Sequence, residues 1–230
     1  MKINLRKALT VAKINFTHLT PAYIITTFML LIGVYNIIAC LTGLTDNQYV
    51  DMGNYLYMLV VTAPIFITSR NYKKIMCLNG TRMDFYWGAL INYIIISSFV
   101  SLLNIMLYKV ADIMFGPRLI IWNLVEIFGW YNHGIIIAFL QQFSFLILVA
   151  IFVHSLSIIQ GSWYGWLTDI LLIAIISTFI PINTLRNLLL IFLNIIIFQS
   201  NAYMQITSCL ILTVGIYVLN LLVLKKRRYD

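Results

Sequence analysis

Few residues of this chain could do chemistry, and each lies beside an apolar stretch. Asp169 is the one acid close to a membrane span. A carboxylate at mid-bilayer costs about 2.5–3.5 kcal/mol on insertion scales. An acid there either stays near water at a helix start, where the helix dipole favours it, or faces inward in a coupling role. His154 reads as a buried neutral histidine with one hydrogen bond rather than a ligand, and His18 and His133 as interfacial. Gln141 and Gln142 are adjacent, so on a helix they point about 100° apart. At least one of them must bond across helices or line a polar path. Trp163, Tyr164 and Trp166 read as an aromatic belt at headgroup depth.

Catalytic sets are missing. A phosphate-binding loop ends in Gly-Lys-Ser/Thr, and the chain has no Gly-Lys dipeptide. It has no His-Glu-x-x-His, and Gly161-Ser162 has no partner base nearby. Cys40, Cys77 and Cys209 lack metal or disulfide spacing. Ile37-Ile38-Ala39-Cys40 resembles a lipoprotein cleavage box, but it follows a stretch long enough to span, and the N-terminal stretch is a poor secretory signal. We therefore expect no catalytic, metal-binding or cofactor-binding residues and no enzyme activity in this chain.

The elements that must position these residues follow from composition. Of 230 residues, 62% are hydrophobic and 10% charged, with a mean hydropathy of +0.94. Soluble domains carry about 25% charged residues, so lipid must be part of the solvent. The net charge of +8 does not indicate nucleic acid, because the basic residues sit in short clusters between apolar stretches. The expected fold is an all-α integral membrane protein, one permease domain over residues 1–230.

Residues 1–19 read as an interfacial amphipathic helix. Leu5, Leu9, Ala12, Phe16 and Leu19 make one face, with Lys2, Arg6 and Lys13 beside it. Six spans are expected: 23–41, a short second one over 54–68, then 85–108, 134–156, 163–180 and 203–224. Asp46 and Asp51 lie in a short polar loop. Residues 109–133, with Trp122 and Trp130, read as interfacial, and 187–200 as a short re-entrant outer segment, because 187–198 is too short to cross. Both termini then face the cytoplasm. Four basic residues lie before the first span, four in the loop after the second and four in Lys225–Arg228, which leaves only Lys109, Arg118 and Arg186 outside, of 15. Such a bias obeys the positive-inside rule.

Residues 70–84 form the most informative loop. Tyr72, Ile75, Met76 and Asn79 share a helical face, with Lys73, Lys74 and Cys77 on the other side. Asn79-Gly80 is a helix stop, since both tolerate left-handed backbone. Thr81 followed by Asp84 is a variant capping box that starts the third span. The spacing predicts a short amphipathic helix, a sharp break and a new helix, hence a structured cytoplasmic knob.

With an interfacial helix, six spans and the stretch Asn79-Gly80-Thr81-Arg82-Met83-Asp84-Phe85-Tyr86-Trp87-Gly88, the chain resembles the permease subunits of type-2 ATP-binding-cassette exporters. That family includes many bacterial antimicrobial-peptide export and immunity transporters, and many members carry a Gly-x-x-Arg-x-x-Phe-like stretch at this place. The large extracellular domain between the first two spans is absent here, and the resemblance at residue level covers about ten positions. It implies a multi-pass protein of a bacterial plasma membrane, paired with a second permease copy or a sister permease. Separate cytoplasmic ATPase chains would bind and hydrolyse the ATP. It assigns ATPase coupling to Tyr72, Ile75, Met76, Asn79, Gly80, Thr81, Arg82, Asp84 and Phe85. It puts Tyr57, Thr62, Ser177 and Thr178 near the translocation path, with Asp169 as a further candidate, although hydroxyls in spans usually bond their own backbone. The implied cargo is an amphipathic or hydrophobic molecule such as an antimicrobial or signalling peptide. The alternatives are a vitamin importer's substrate-binding subunit, a secondary carrier, or a membrane-embedded enzyme.

Overall fold

The computed structural model describes residues 5–44, 47–116, 119–160 and 163–226. The side chains of Trp163, Tyr164, Ile176 and residues 222–226 lie outside the described set, as do Lys2, Asp46, Arg118, Gly161-Ser162 and Arg227-Arg228. The described chain is almost wholly helical. Its helices are α1 (Leu5–Thr17), α2 (Thr20–Leu41), α3 (Met52–Cys77), α4 (Arg82–Phe115), α5 (Ile135–Ile159), α6 (Trp163–Phe179), α7 (Asn183–Phe198) and α8 (Ala202–Lys226).

Among the described residues, α2, α3, α4, α5 and α8 are each long and apolar enough to cross a membrane. The α6–α7 pair, bent by 110°, brings the number to six if it counts as one span. Outward faces carry large apolar side chains: Phe28, Leu31 and Tyr35 on α2, and Ile211, Val214 and Val218 on α8, are all more than half exposed. Polar backbone is satisfied within the helices, as hydrocarbon requires. The chain is a helical membrane protein.

The second span differs from the short 54–68 expected. It runs from Met52 to Cys77, past Pro64 and through a π-turn at Ile67–Asn71. The supposed separate loop helix is therefore the end of α3. Pro64 lacks the amide that would bond the Val60 carbonyl, and the π-turn follows three residues later without ending the helix.

Likewise, α4 overshoots the expected 85–108 by three residues at its start and seven at its end, so Lys109 and Asp112 are helical. Lys109 Nζ lies 5.3 Å from the centroid of the Tyr131 ring.

One feature was not anticipated. Gln48–Val50 (β1) and Ile120–Trp122 (β2) pair in parallel, with Gln48 opposite Ile120 and Val50 opposite Trp122. The pair clamps the connection entering α3 to the one leaving α4. Trp130, expected at the interface, is buried in a single turn before α5, and its Nε1 donates to the Ile197 carbonyl at 2.9 Å. Gln205 Nε2 donates to the Ile196 carbonyl at 2.9 Å. These two bonds satisfy carbonyls in the α7 π-turn, and Cys209 Sγ also donates to the Ile196 carbonyl at 3.6 Å. They tie the end of α7 to the same end of the bundle as β1 and β2.

The amphipathic α1 is present, and it packs on the bundle through small residues. Ala8, Val11, Ala12 and Asn15 pack inward, while Leu5 and Leu9 are 64% and 52% exposed. Small residues let α1 lie close on α4: a β-carbon at Gly88 would sit 2.5 Å from Val11 Cγ1. Leu5 and Leu9 remain free for an apolar surface.

Candidate functional site

Two buried polar clusters occupy the bundle interior, one towards each end. The first gathers where β1, β2, α3, α4 and α5 meet. Asp51, at the start of α3, is 2% exposed. Asn123 Nδ2 donates to Asp51 Oδ2 at 2.5 Å and to Asn104 Oδ1 at 2.9 Å. Asn104 Nδ2 donates to the Tyr57 hydroxyl at 2.6 Å, and Gln142 Nε2 donates to the same oxygen at 2.8 Å. The strand pair sets this register, because the Asp51 amide donates to the Trp122 carbonyl at 3.1 Å. Asn54 completes the clamp, donating to the Trp122 carbonyl at 2.8 Å and accepting from the Leu124 amide at 3.1 Å. Burial pushes the Asp51 carboxyl above its ordinary titration, against the opposing pull of Asn123 and the Gly53 and Met52 amides.

The second cluster centres on His154 of α5, which is fully buried. Its Nδ1 lies 2.9 Å from Thr68 Oγ1 and 2.7 Å from the Tyr93 hydroxyl. Thr68 belongs to the π-turn of α3, which aims it at α5. Rings close this cluster on the side of the basic loop. Phe85 stacks on His154 with centroids 6.3 Å apart, and Tyr72 meets Phe85 edge-on at 5.0 Å.

The basic loop itself is built as its residues suggest. Asn79, at φ 57°, is the left-handed stop. Its amide donates to the Met76 carbonyl at 3.2 Å and the Gly80 amide to the Ile75 carbonyl at 3.0 Å, a Schellman arrangement. Gly80 itself keeps φ negative and serves by size, since a β-carbon there would sit 2.6 Å from Ile75 Cγ2. Thr81 and Asp84 form the reciprocal capping box: the Asp84 amide donates to Thr81 Oγ1 at 3.1 Å and the Thr81 amide to Asp84 Oδ2 at 3.1 Å.

Burial divides the residues expected to contact a partner. Tyr72, Ile75, Asp84 and Phe85 are buried within this chain, and Met76 and Arg82 are half-buried. They hold the loop rather than face outward. The outward surface belongs to Lys73, Lys74, Cys77, Leu78, Asn79 and Thr81. Lys74 Nζ lies 2.6 Å from His18 Nε2, which joins this surface to the end of α1.

The expected path residues do not form one site. Tyr57 joins the first polar cluster. Thr62 donates to the Met58 carbonyl at 2.7 Å, Thr178 to the Ala174 carbonyl at 2.7 Å, and Ser177 to the Ile173 carbonyl, each on its own helix. Asp169 accepts from Gln160 Nε2 on both oxygens, at 2.9 and 2.8 Å, and so pins the start of α6 to the end of α5. Of the adjacent glutamines, both are buried, and Gln142 makes the interhelical bond.

Asp51, Asn104, Asn123, Thr68 and Tyr93 escaped the sequence reading. Asn104 was detectable: an amide inside an uncharged span demands a partner. Asp51 and Asn123 were not, because their meeting depends on the strand pair. Comparison with protein-family models, curated proteins and solved structures finds no match.

Proposed function

We propose that this chain is the membrane-spanning permease half of an ATP-driven exporter of the type-2 ATP-binding-cassette kind. The observation that carries the reading is the doubly capped turn at Ile75–Asp84, which joins two full-length spans and presents Lys73, Lys74 and Leu78 outward. A partner that pulls on this turn moves α3 and α4 as levers, because the Schellman and capping-box ends leave no slack between them. The ATPase is a separate chain that docks on that surface from the cytoplasm, and α1 lies on the inner leaflet beside it. Two permease copies, or this chain and a sister, complete the pore. The cargo is an amphipathic or hydrophobic molecule, with an antimicrobial or signalling peptide the class that fits export and self-protection in a bacterial plasma membrane. On this reading α7 is the re-entrant outer segment.

Asp51 favours a second reading. A buried acid in a hydrogen-bonded network is what a gradient-driven carrier needs to couple protons to transport. Co-purification separates the two. Lys73→Glu with Leu78→Glu should abolish capture of a candidate ATPase subunit that the native chain captures, while leaving thermal stability unchanged, since both side chains are exposed. Undiminished capture by the double variant removes the coupling surface from this loop.

A further inference from the structure

Between the two polar clusters, α4 carries a line of polar residues on one face. Tyr93, Ser97, Ser101 and Asn104 fall within about 80° of each other around the helix axis. Tyr93 at one end touches α3 and α5 through Thr68 and His154, and Asn104 at the other touches α3 through Tyr57. The same α3–α5 side is therefore presented to Ser97 and Ser101. Both serines are 0% exposed, and neither Oγ has a hydrogen-bond partner. Gln142 Oε1, also fully buried, is unpartnered as well.

Hydroxyls on the other helices mostly do otherwise, although Thr213 Oγ1 and the side-chain amides of Asn92 and Gln141 are unpartnered too. Thr26, Thr62, Ser155, Ser157 and Thr207 each donate to the carbonyl one turn back on their own helix. Ser97 and Ser101 decline this easy partner and point elsewhere. A buried hydroxyl with no partner loses about 1–3 kcal/mol, so two in succession call for a ligand that can bond them.

The spacing selects the ligand. Side chains one helical turn apart have β-carbons about 5–6 Å apart. Two hydrogen bonds in series, each about 2.8 Å, bridge that distance through one oxygen atom. A water held by two to four polar groups fits, and the site offers hydroxyls and an amide oxygen.

We propose that Ser97, Ser101 and Gln142 line a file of internal water between α3, α4 and α5, reaching from the Asp51–Asn123–Asn104 cluster to His154. The file opens towards the Asp51 end, where the polar cluster is continuous with the strand-paired connections. Phe85 and Tyr72 close it beyond His154, towards the basic loop. The bundle interior is thus wetted from one side only. This inference does not depend on the transporter reading.

Two measurements test it on the full-length protein. The first replaces Ser97 and Ser101 together by alanine. If the hydroxyls hold water, the variant melts about 2 °C lower or more. If they are dry and unsatisfied, removing them raises the melting temperature, and the inference fails. The second starts from a variant with Cys40, Cys77 and Cys209 replaced by alanine, reconstituted in vesicles. Single cysteines at Ser97, Ser101, Ile96 and Leu102 are exposed to Ag⁺ from either side, then denatured and labelled with a maleimide dye. Ag⁺ should protect S97C and S101C at least tenfold faster from the Asp51 side than from the basic side. It should leave I96C, buried about 100° around the helix from Ser97, and L102C, on the outward face, unprotected. Equal protection of S97C and I96C, or faster protection from the basic side, overturns the file or its closure.

Discussion

Tyr86 and Tyr217 stack ring on ring with centroids 4.1 Å apart, and each hydroxyl donates to the other residue's backbone carbonyl. Tyr86 lies in the second turn of α4 and Tyr217 nine residues before the end of α8. The reciprocal pair locks the last span to the helix that begins at the capped turn. It also places the C-terminal end of α8, the basic turn and α1 at one end of the bundle.

Removing either hydroxyl should cost about 0.6 kcal/mol, the usual value of an interhelical bond in a membrane bundle. The double variant Tyr86→Phe with Tyr217→Phe should lose about as much as the two single changes together, because each hydroxyl has its own acceptor. Thermal melting of the three variants in detergent checks this, and a large coupling would show that the two bonds stand or fall as one.

Asp51 makes stability depend on pH in a defined direction. Its carboxyl titrates above the ordinary value of 3.8 when folded, mainly through burial. The folded state therefore holds the proton more tightly than the unfolded state does, and stability falls as pH rises from 3.8 through the folded titration. Asp51→Asn keeps an acceptor for Asn123 and removes the charge. Its melting temperature at pH 7 should equal or exceed that of the native protein, and the difference should vanish at pH 4. A variant less stable than native at pH 7 by several degrees would show that the carboxylate is needed as an anion.

Close approach, not turn geometry, explains Gly53. A β-carbon there would overlap Asn104 Oδ1 and sit 3.0 Å from Asn104 Cα. Gly53→Ala should lower stability by about 1–3 kcal/mol, the range for forced overpacking. Because the residue displaced belongs to the first polar cluster, a fall in yield of folded protein should accompany it.

Thr81→Ala removes one half of the capping box and should cost about 1 kcal/mol. Thr81→Ser should restore most of it. On the lever reading, Thr81→Ala should also weaken the response of transport to the ATPase, with folding intact at low temperature.

Asp169 is a pin between helices rather than a buried charge. Asp169→Asn retains one acceptor for Gln160, so stability should change by less than about 0.5 kcal/mol and, on the exporter reading, transport should persist. Total loss of transport in a well-folded variant would restore a coupling role.

Much of the helical architecture was legible because long hydrophobic stretches report apolar helices directly. The capped turn was readable to the residue, since Asn79, Thr81 and Asp84 act through local geometry. Two things were hidden for physical reasons. The π-turn let α3 continue through Arg70, where the change to polar residues suggested a stop. The β1–β2 pair joins segments about seventy residues apart, and only that pairing brings Asp51 to Asn123. The packing face of α1 was not legible, because small residues, not leucines, make the closest helix contact.

ATP dependence tests the central claim most directly. Inside-out vesicles carrying this chain and a candidate ATPase subunit are given a fluorescent amphipathic cationic peptide, with an uncoupler present to remove ion gradients. Peptide accumulation should require ATP and should disappear when the phosphate-loop lysine of the ATPase is replaced. Accumulation that ignores ATP and collapses with the uncoupler would contradict the account and establish a gradient-driven carrier.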